Sequence, residues 1–144
     1  MATPAEPAFV LPVRVYYEDT DAGGVVYYAN YLKFIERART EWLRALGFEQ
    51  RRLREAFGVV FAVHRVDAWF QRPARLDDAL CVVLHVARCT RVRMAFFQRV
   101  THADEPHTSL FEARVEVACL DARRFVPQRM PPPIREAIHQ WTST

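Results

Sequence analysis

Residues 16–47 read YYEDTDAGGVVYYANYLKFIERARTEWLRALG, and this stretch decides the fold. A β-branched and aromatic run (Val13, Val15, Tyr16, Tyr17) leads into it, and Glu18, Asp19 and Asp21 then fall within four residues. Gly23 and Gly24, two of the chain's four glycines, come next. After a short apolar patch the longest amphipathic pattern of the chain begins. Tyr31, Phe34, Ile35, Ala38, Trp42, Ala45 and Leu46 recur with the 3.6-residue period, while Glu36, Arg37, Arg39, Glu41 and Arg44 take the other face. Arg37 and Glu41 add an i,i+4 pair. Asn30 is predicted as the N-cap and Gly47 as the residue just past the C-cap. That brackets a helix of about 16 residues, about 24 Å long.

Outward from this helix the chain turns to strands. Before it, residues 1–8 read as a loose tail and residues 9–17 as a first strand, with Pro12 tolerable near its start or on an edge. After it, residues 49–57 form a short helix ending at Gly58, and Val59–Phe70 is a long β-rich run closed by Arg72 and Pro73. Leu80, Val82, Leu84 and Val86 alternate in a third strand reaching about Arg88. Val92, Met94, Phe96 and Val100 alternate with Arg91, Arg93 and Arg99 in a fourth. Residues 102–107, with Pro106, read as a hairpin loop. Phe111, Ala113, Val115, Val117 and Cys119 then face one way in a fifth strand, with Glu112, Arg114 and Glu116 opposite. A short amphipathic helix over residues 134–141 follows the prolines 131–133. Strands segregated from one long helix predict an α+β fold, an antiparallel sheet curved over that helix. Residues 9–144 are expected to be a single domain, with no internal repeat.

Composition narrows the function classes. With 144 residues, 51% hydrophobic and 12% aromatic, the chain can bury a real core. No apolar run approaches the roughly 18 residues of a transmembrane helix, and residues 1–10 lack the features of a signal peptide. A cytoplasmic location is expected. Cys81, Cys89 and Cys119 are odd in number and without metal-type spacing, as expected of reduced, buried thiols. The net charge of +3 comes from scattered arginines, Lys33 being the one lysine, and not from a clustered phosphate-tracking face, so no nucleic-acid partner is expected. His64, in an apolar strand, reads as structural, and His85, His102, His107 and His139 form no metal-ligand pattern. Neither a metal nor a cofactor is called for.

On the residues alone, Glu18, Asp19 and Asp21 compete, and such a loop reads first as turn and capping chemistry. The run DTDAGGVVYYANYLKFIERARTEWLR resembles the hotdog-fold acyl-CoA thioesterases, in the 4-hydroxybenzoyl-CoA thioesterase-like family and its Tol-Pal-associated (YbgC-like) branch. Asp21, the small residues Ala22-Gly23-Gly24, apolar Val25-Val26, the pair Tyr27-Tyr28 and Asn30-Tyr31 carry that resemblance. PARLDD at 73–78, FFQRV at 96–100 and PQRMPPPIREAI at 127–138 extend it in the same order along nearly the whole chain. One position departs: the YbgC-like branch commonly has His where this chain has Tyr28, and the 4-hydroxybenzoyl-CoA enzymes are more similar there.

The resemblance implies a hotdog fold, a five-stranded antiparallel sheet wrapped around one long central helix, and a homodimer or homotetramer with active sites at subunit interfaces. It also implies hydrolysis of acyl-CoA thioesters. Asp21 would act as general base on a water or as a nucleophile giving a mixed anhydride. The carbonyl would be polarised by amides at the helix N-terminus, each contributing about 3–4 kcal/mol. The amide of Tyr28 is the expected donor, with its phenol lining the acyl pocket. Gly23 and Gly24 let the backbone turn and approach the thioester, and Val25, Tyr27 and Asn30 complete the loop's binding residues, Asn30 reading equally as a cap or brace. Arg88, Arg91 and Arg93 are the candidates for the phosphates of coenzyme A, or else the solvated faces of two strands. Two alternatives stay open: a thioester carried on acyl carrier protein, and a non-catalytic acyl-CoA binding protein.

Overall fold

Residues 8–142 are described in the computed structural model. Five strands, β1 (Phe9–Arg14), β2 (Val59–Phe70), β3 (Ala79–Cys89), β4 (Arg93–His102) and β5 (Glu105–Asp121), form one antiparallel sheet in the order β1-β3-β4-β5-β2. Helix α1 (Asn30–Ala45) lies between β1 and β2 in the chain and packs on the sheet. Short helical turns follow it at Gln50–Arg52 (α2) and, as a π-turn, at Leu53–Phe57. Helix α3 (Pro132–His139) ends the fold.

The periodicities explain which faces meet. Of the predicted α1 positions, Tyr31, Phe34, Ile35, Ala38 and Trp42 are buried, against Leu80, Val82, Leu84 and Val86 of β3 and the inward residues of β4 and β5, while Ala45 in the last turn is exposed, Leu46 is half-buried and Leu43 is buried in their place. Complete burial of a side chain such as Phe34 contributes about 1.5–3 kcal/mol. Trp42, fully buried, stands edge-on to Phe96 at 5.4 Å and to Trp141 at 6.2 Å, so the segment after α3 covers the C-terminal end of α1. That end is closed by a Schellman turn: Gly47 N–H donates to the Arg44 carbonyl at 2.9 Å and Phe48 N–H to that of Leu43 at 2.9 Å. One polar residue shares the inner face unforeseen. Gln98, fully buried, donates to the Ile35 carbonyl at 2.9 Å and accepts from Arg39 at 3.0 Å.

Several boundaries differ from expectation, among them the last helix, which runs over Pro132–His139 and not 134–141, and the fourth strand, which starts after Val92. The first strand stops at Arg14 and not at Tyr17, because Val15 exchanges both backbone hydrogen bonds with Asp77 and Asp78, and the chain then turns through a 3₁₀ segment, Tyr17–Asp19. The N-cap of α1 is Ala29; Asn30 is the first helical residue and its side chain is engaged elsewhere. The loop expected over 102–107 shrinks to the turn at 103–104, since β5 starts at Glu105 and pairs it with His102. The tail expected over 1–8 lies, Ala8 apart, outside the described residues. No helix among the described residues is long and apolar enough to cross a membrane.

Candidate active site

The three competing carboxylates take different environments. Asp19 is buried, and its Oδ2 accepts the Tyr16 N–H at 2.8 Å. Its carbonyl accepts the Tyr27 N–H at 2.9 Å and the Asn30 side-chain amide at 2.8 Å. Asp19 and Asn30 together therefore bracket the two ends of the loop. Glu18 is exposed and makes no hydrogen bond among the described residues. Asp21 is exposed too, but its carboxylate is oriented: Oδ1 accepts the Gly23 N–H at 2.9 Å, while its own N–H donates to the Val25 carbonyl at 3.0 Å.

The paired glycines serve this geometry in two ways. Gly24 has φ of +78°, a conformation that side chains resist. At Gly23 a Cβ would come within 3.2 Å of Asp21 Oδ1, so the missing side chain leaves room for the carboxylate. Behind the loop stands the 72–78 segment. Val25 bridges Arg75, Val26 N–H donates to the Ala74 carbonyl at 2.8 Å, and Ala74 N–H donates to the Tyr31 hydroxyl at 3.1 Å. The loop is thus clamped between the helix start and the lead-in to β3.

At the helix start the backbone donors sort into used and unused. Tyr27, Asn30, Tyr31 and Leu32 all donate within the described backbone. The N–H groups of Tyr28 and Ala29 have no acceptor among the described residues, and the axis of α1 puts its positive end there. The phenols of Tyr27 and Tyr28 are exposed, their rings 4.9 Å apart. The neighbouring Tyr28 phenol, then slight burial and the charge of Asp21, hold the Tyr27 phenol above its usual range, so the two tyrosines and Asp21 share one electrostatic neighbourhood. An aromatic series continues inward: Tyr28 meets Phe70 at 5.9 Å, and Phe70 meets Tyr31 at 6.0 Å and Phe111 at 5.1 Å. A carboxylate, two free amides and an aromatic wall are the elements that attack on an activated carbonyl needs.

The arginines sit elsewhere. β3 starts at Ala79, just after Asp78 and beside the loop, and its far end carries Arg88, with Arg91 and Arg93 across the turn. Nine steps along β3 lead from Ala79 to Arg88, about 30 Å at the usual rise, so one subunit does not bring Arg88, Arg91 and Arg93 to Asp21. In the sequence, residues 73–78 stand out only as part of the resemblance to the family; their role as support of the Asp21 loop, and the left-handed conformation of the non-glycine residue Asp77 (φ +71°), carry no periodic signal.

Residues 23–108 match the family described as "Thioesterase superfamily", a match that begins two residues after Asp21. The acyl-CoA thioesterase YbgC of Haemophilus influenzae is 44% identical over 131 residues, 91% of this chain and 94% of that one. The acyl-CoA thioester hydrolase YbgC of Escherichia coli is 46% identical, covering 85% of this chain and 90% of its own. Among solved structures, a probable thioesterase from Bartonella henselae superposes with a TM-score of 0.81 at 34% identity, over 87% of this chain and all of that chain.

Proposed function

The chain belongs to the thioesterase superfamily, with its hotdog-like fold, and from that premise we propose that it hydrolyses acyl-CoA thioesters to free acid and coenzyme A, with Asp21 as the catalytic carboxylate. The observation that carries the assignment of Asp21 is the unspent pair of amides at Tyr28 and Ala29, on the same loop as a carboxylate held open to solvent. A thioester carbonyl seated on those N–H groups would have its developing oxyanion stabilised by fixed donors and by the helix dipole. Asp21 would then activate a water or attack the carbonyl directly. Gly23, Gly24 and Val25 would line the backbone approach, and Tyr27 and Tyr28 the acyl group. Asn30, engaged with Asp19, would act by bracing the loop.

The active unit is a homodimer in this reading. β2 is an edge strand of 12 residues, hydrogen-bonded on one side only, and Val63, Val66, Trp69 and Phe70 are 39–53% exposed along it. Beside it runs an open groove of about 490 Å³ lined in part by Leu32, Ile35, Val63 and Val66. A long apolar edge of this kind is stabilised by pairing. Two copies of β2 paired antiparallel about a two-fold axis would lay the partner's Val59 end beside this Phe70. The β3–β4 turn shares the Val59 end of its own sheet, since Arg93 pairs Ala118 and Ala118 pairs Ala62. Arg88, Arg91 and Arg93 of one subunit would thereby reach the Asp21 end of the other, where the phosphates of coenzyme A extend. The sheet would wrap α1 as the central rod of each subunit. The unpaired thiols Cys81, Cys89 and Cys119 suit a reducing, cytoplasmic compartment.

The test is thiol release from a panel of short, long and aromatic acyl-CoA substrates, with acyl carrier protein thioesters alongside. Asp21→Asn is expected to lower kcat by about two orders of magnitude or more while the fold is retained. Unchanged turnover in that variant would remove Asp21 from the mechanism. Turnover of the carrier-protein thioesters alone would move the reaction to that partner, and none on either carrier would leave a binding protein.

A further inference from the structure

The 72–78 segment is held by a side-chain pair that the reaction itself does not use. His102, at the end of β4, places Nε2 at 2.9 Å from Asp78 Oδ2. The same oxygen accepts the Arg75 N–H at 2.8 Å, and Asp78 N–H donates back to the Arg75 carbonyl at 3.1 Å. Burial opposes charge on Asp78, but the Arg75 N–H and His102 more than offset it, so its carboxyl lies below the ordinary value. An ionised carboxylate only accepts, so Nε2 of His102 carries the proton and donates. From Arg75 the contacts run on without a gap. Arg75 bridges Val25, and the Val25 carbonyl accepts the N–H of Asp21 at 3.0 Å.

We propose that His102 is a positioning residue for Asp21, acting through Asp78 and the Arg75–Val25 bridge to fix the height and orientation of the carboxylate loop. The idea rests on the catalytic reading of Asp21 given above. The physical ground is that the loop needs a support independent of its own few hydrogen bonds. Asp77, next to Asp78, stands in a strained left-handed conformation, and Asp21, Gly23 and Gly24 are exposed. His102 supplies an anchor in the sheet itself, because its backbone pairs with Leu80 on one side and Glu105 on the other. Small displacements of a catalytic group are costly to rate, since the reacting atoms must meet in a narrow range of geometry.

His102→Phe removes the donor and His102→Gln keeps one at similar reach. In the purified full-length enzyme, His102→Phe is expected to lower kcat about tenfold, with KM for acyl-CoA within about twofold. Exchange of the Asp21, Gly24 and Val26 amides should quicken about tenfold, while Val100 and Ala113 in the sheet keep their protection. His102→Gln should restore both readouts. The proposal is overturned if His102→Phe keeps wild-type kcat and loop exchange, if exchange rises equally through the sheet, or if His102→Gln restores neither readout. Should Asp21→Asn retain full turnover, the catalytic reading fails separately, and loop-amide exchange alone decides whether His102 positions the loop.

Discussion

The hydroxyl of Tyr31 accepts the backbone N–H of Ala74 at 3.1 Å, tying the first turn of α1 to the segment that supports the Asp21 loop. Both residues are buried, and burial pushes the Tyr31 phenol above its usual range. Removing the oxygen would strand a buried amide donor that water cannot reach. Tyr31→Phe is therefore expected to cost about 1–3 kcal/mol in denaturant unfolding, more than its small change in volume would suggest. A cost below about 0.5 kcal/mol would mean that the Ala74 amide finds another acceptor.

Gln98 is the polar residue inside the sheet face, and Arg39 donates to it from α1. Gln98→Leu fits the surrounding hydrocarbon but leaves the largely desolvated guanidinium of Arg39 without this acceptor; burial already lowers its proton affinity. The expected loss is about 1–3 kcal/mol. The double variant with Arg39→Met should recover much of it, a coupling that a double-mutant cycle measures.

Asp78 links stability to pH with a definite sign. Its folded pKa lies below the ordinary 3.8, so the folded state favours the ionised form. The resulting stabilisation is fully present above pH 3.8 and is lost as pH falls through the folded value. Asp78→Asn should consequently be destabilising at neutral pH, and the gap to the parent protein should close on acidification. A gap independent of pH between 7 and about 2 would show that charge is not the cause.

The edge of β2 predicts assembly. Val66→Lys puts a charge into the exposed apolar edge face of Val63, Val66 and Phe70, which lie on one side of β2, a substitution that blocks strand pairing. Light scattering should report a dimer for the parent chain and a monomer for the variant at micromolar concentration. Thiol release from acyl-CoA should fall with dissociation and return at high protein concentration. A monomeric parent enzyme with full activity would exclude the shared site.

The amphipathic period of residues 31–42, the alternation in the third, fourth and fifth strands and the terminator Gly47 were all legible in the sequence. Each is a local consequence of one face meeting apolar neighbours and the other meeting water. What the fourth strand concealed is Gln98, which occupies an inward position and is satisfied there by an α1 carbonyl 63 residues away. The strand order β1-β3-β4-β5-β2, which leaves β2 as an edge, likewise depends on contacts between distant segments.

The candidate site divides in the same way. Composition left Glu18, Asp19 and Asp21 in competition, and the resemblance of the loop to thioesterases selected Asp21. Tertiary structure separated their environments: Asp19 is buried as a bracket for Tyr27 and Asn30, whereas Asp21 is open and braced from below by Val25 and Arg75. It also set Arg88, Arg91 and Arg93 at the far end of β3, a separation that spacing in the chain conceals. Periodicity determines which residues face a core, because it needs only the geometry of one element. Which carboxylate is exposed, which amides stay unpaired and which segment supports the loop were decided by hydrogen bonds between residues far apart in sequence, and those exist only once the chain has folded.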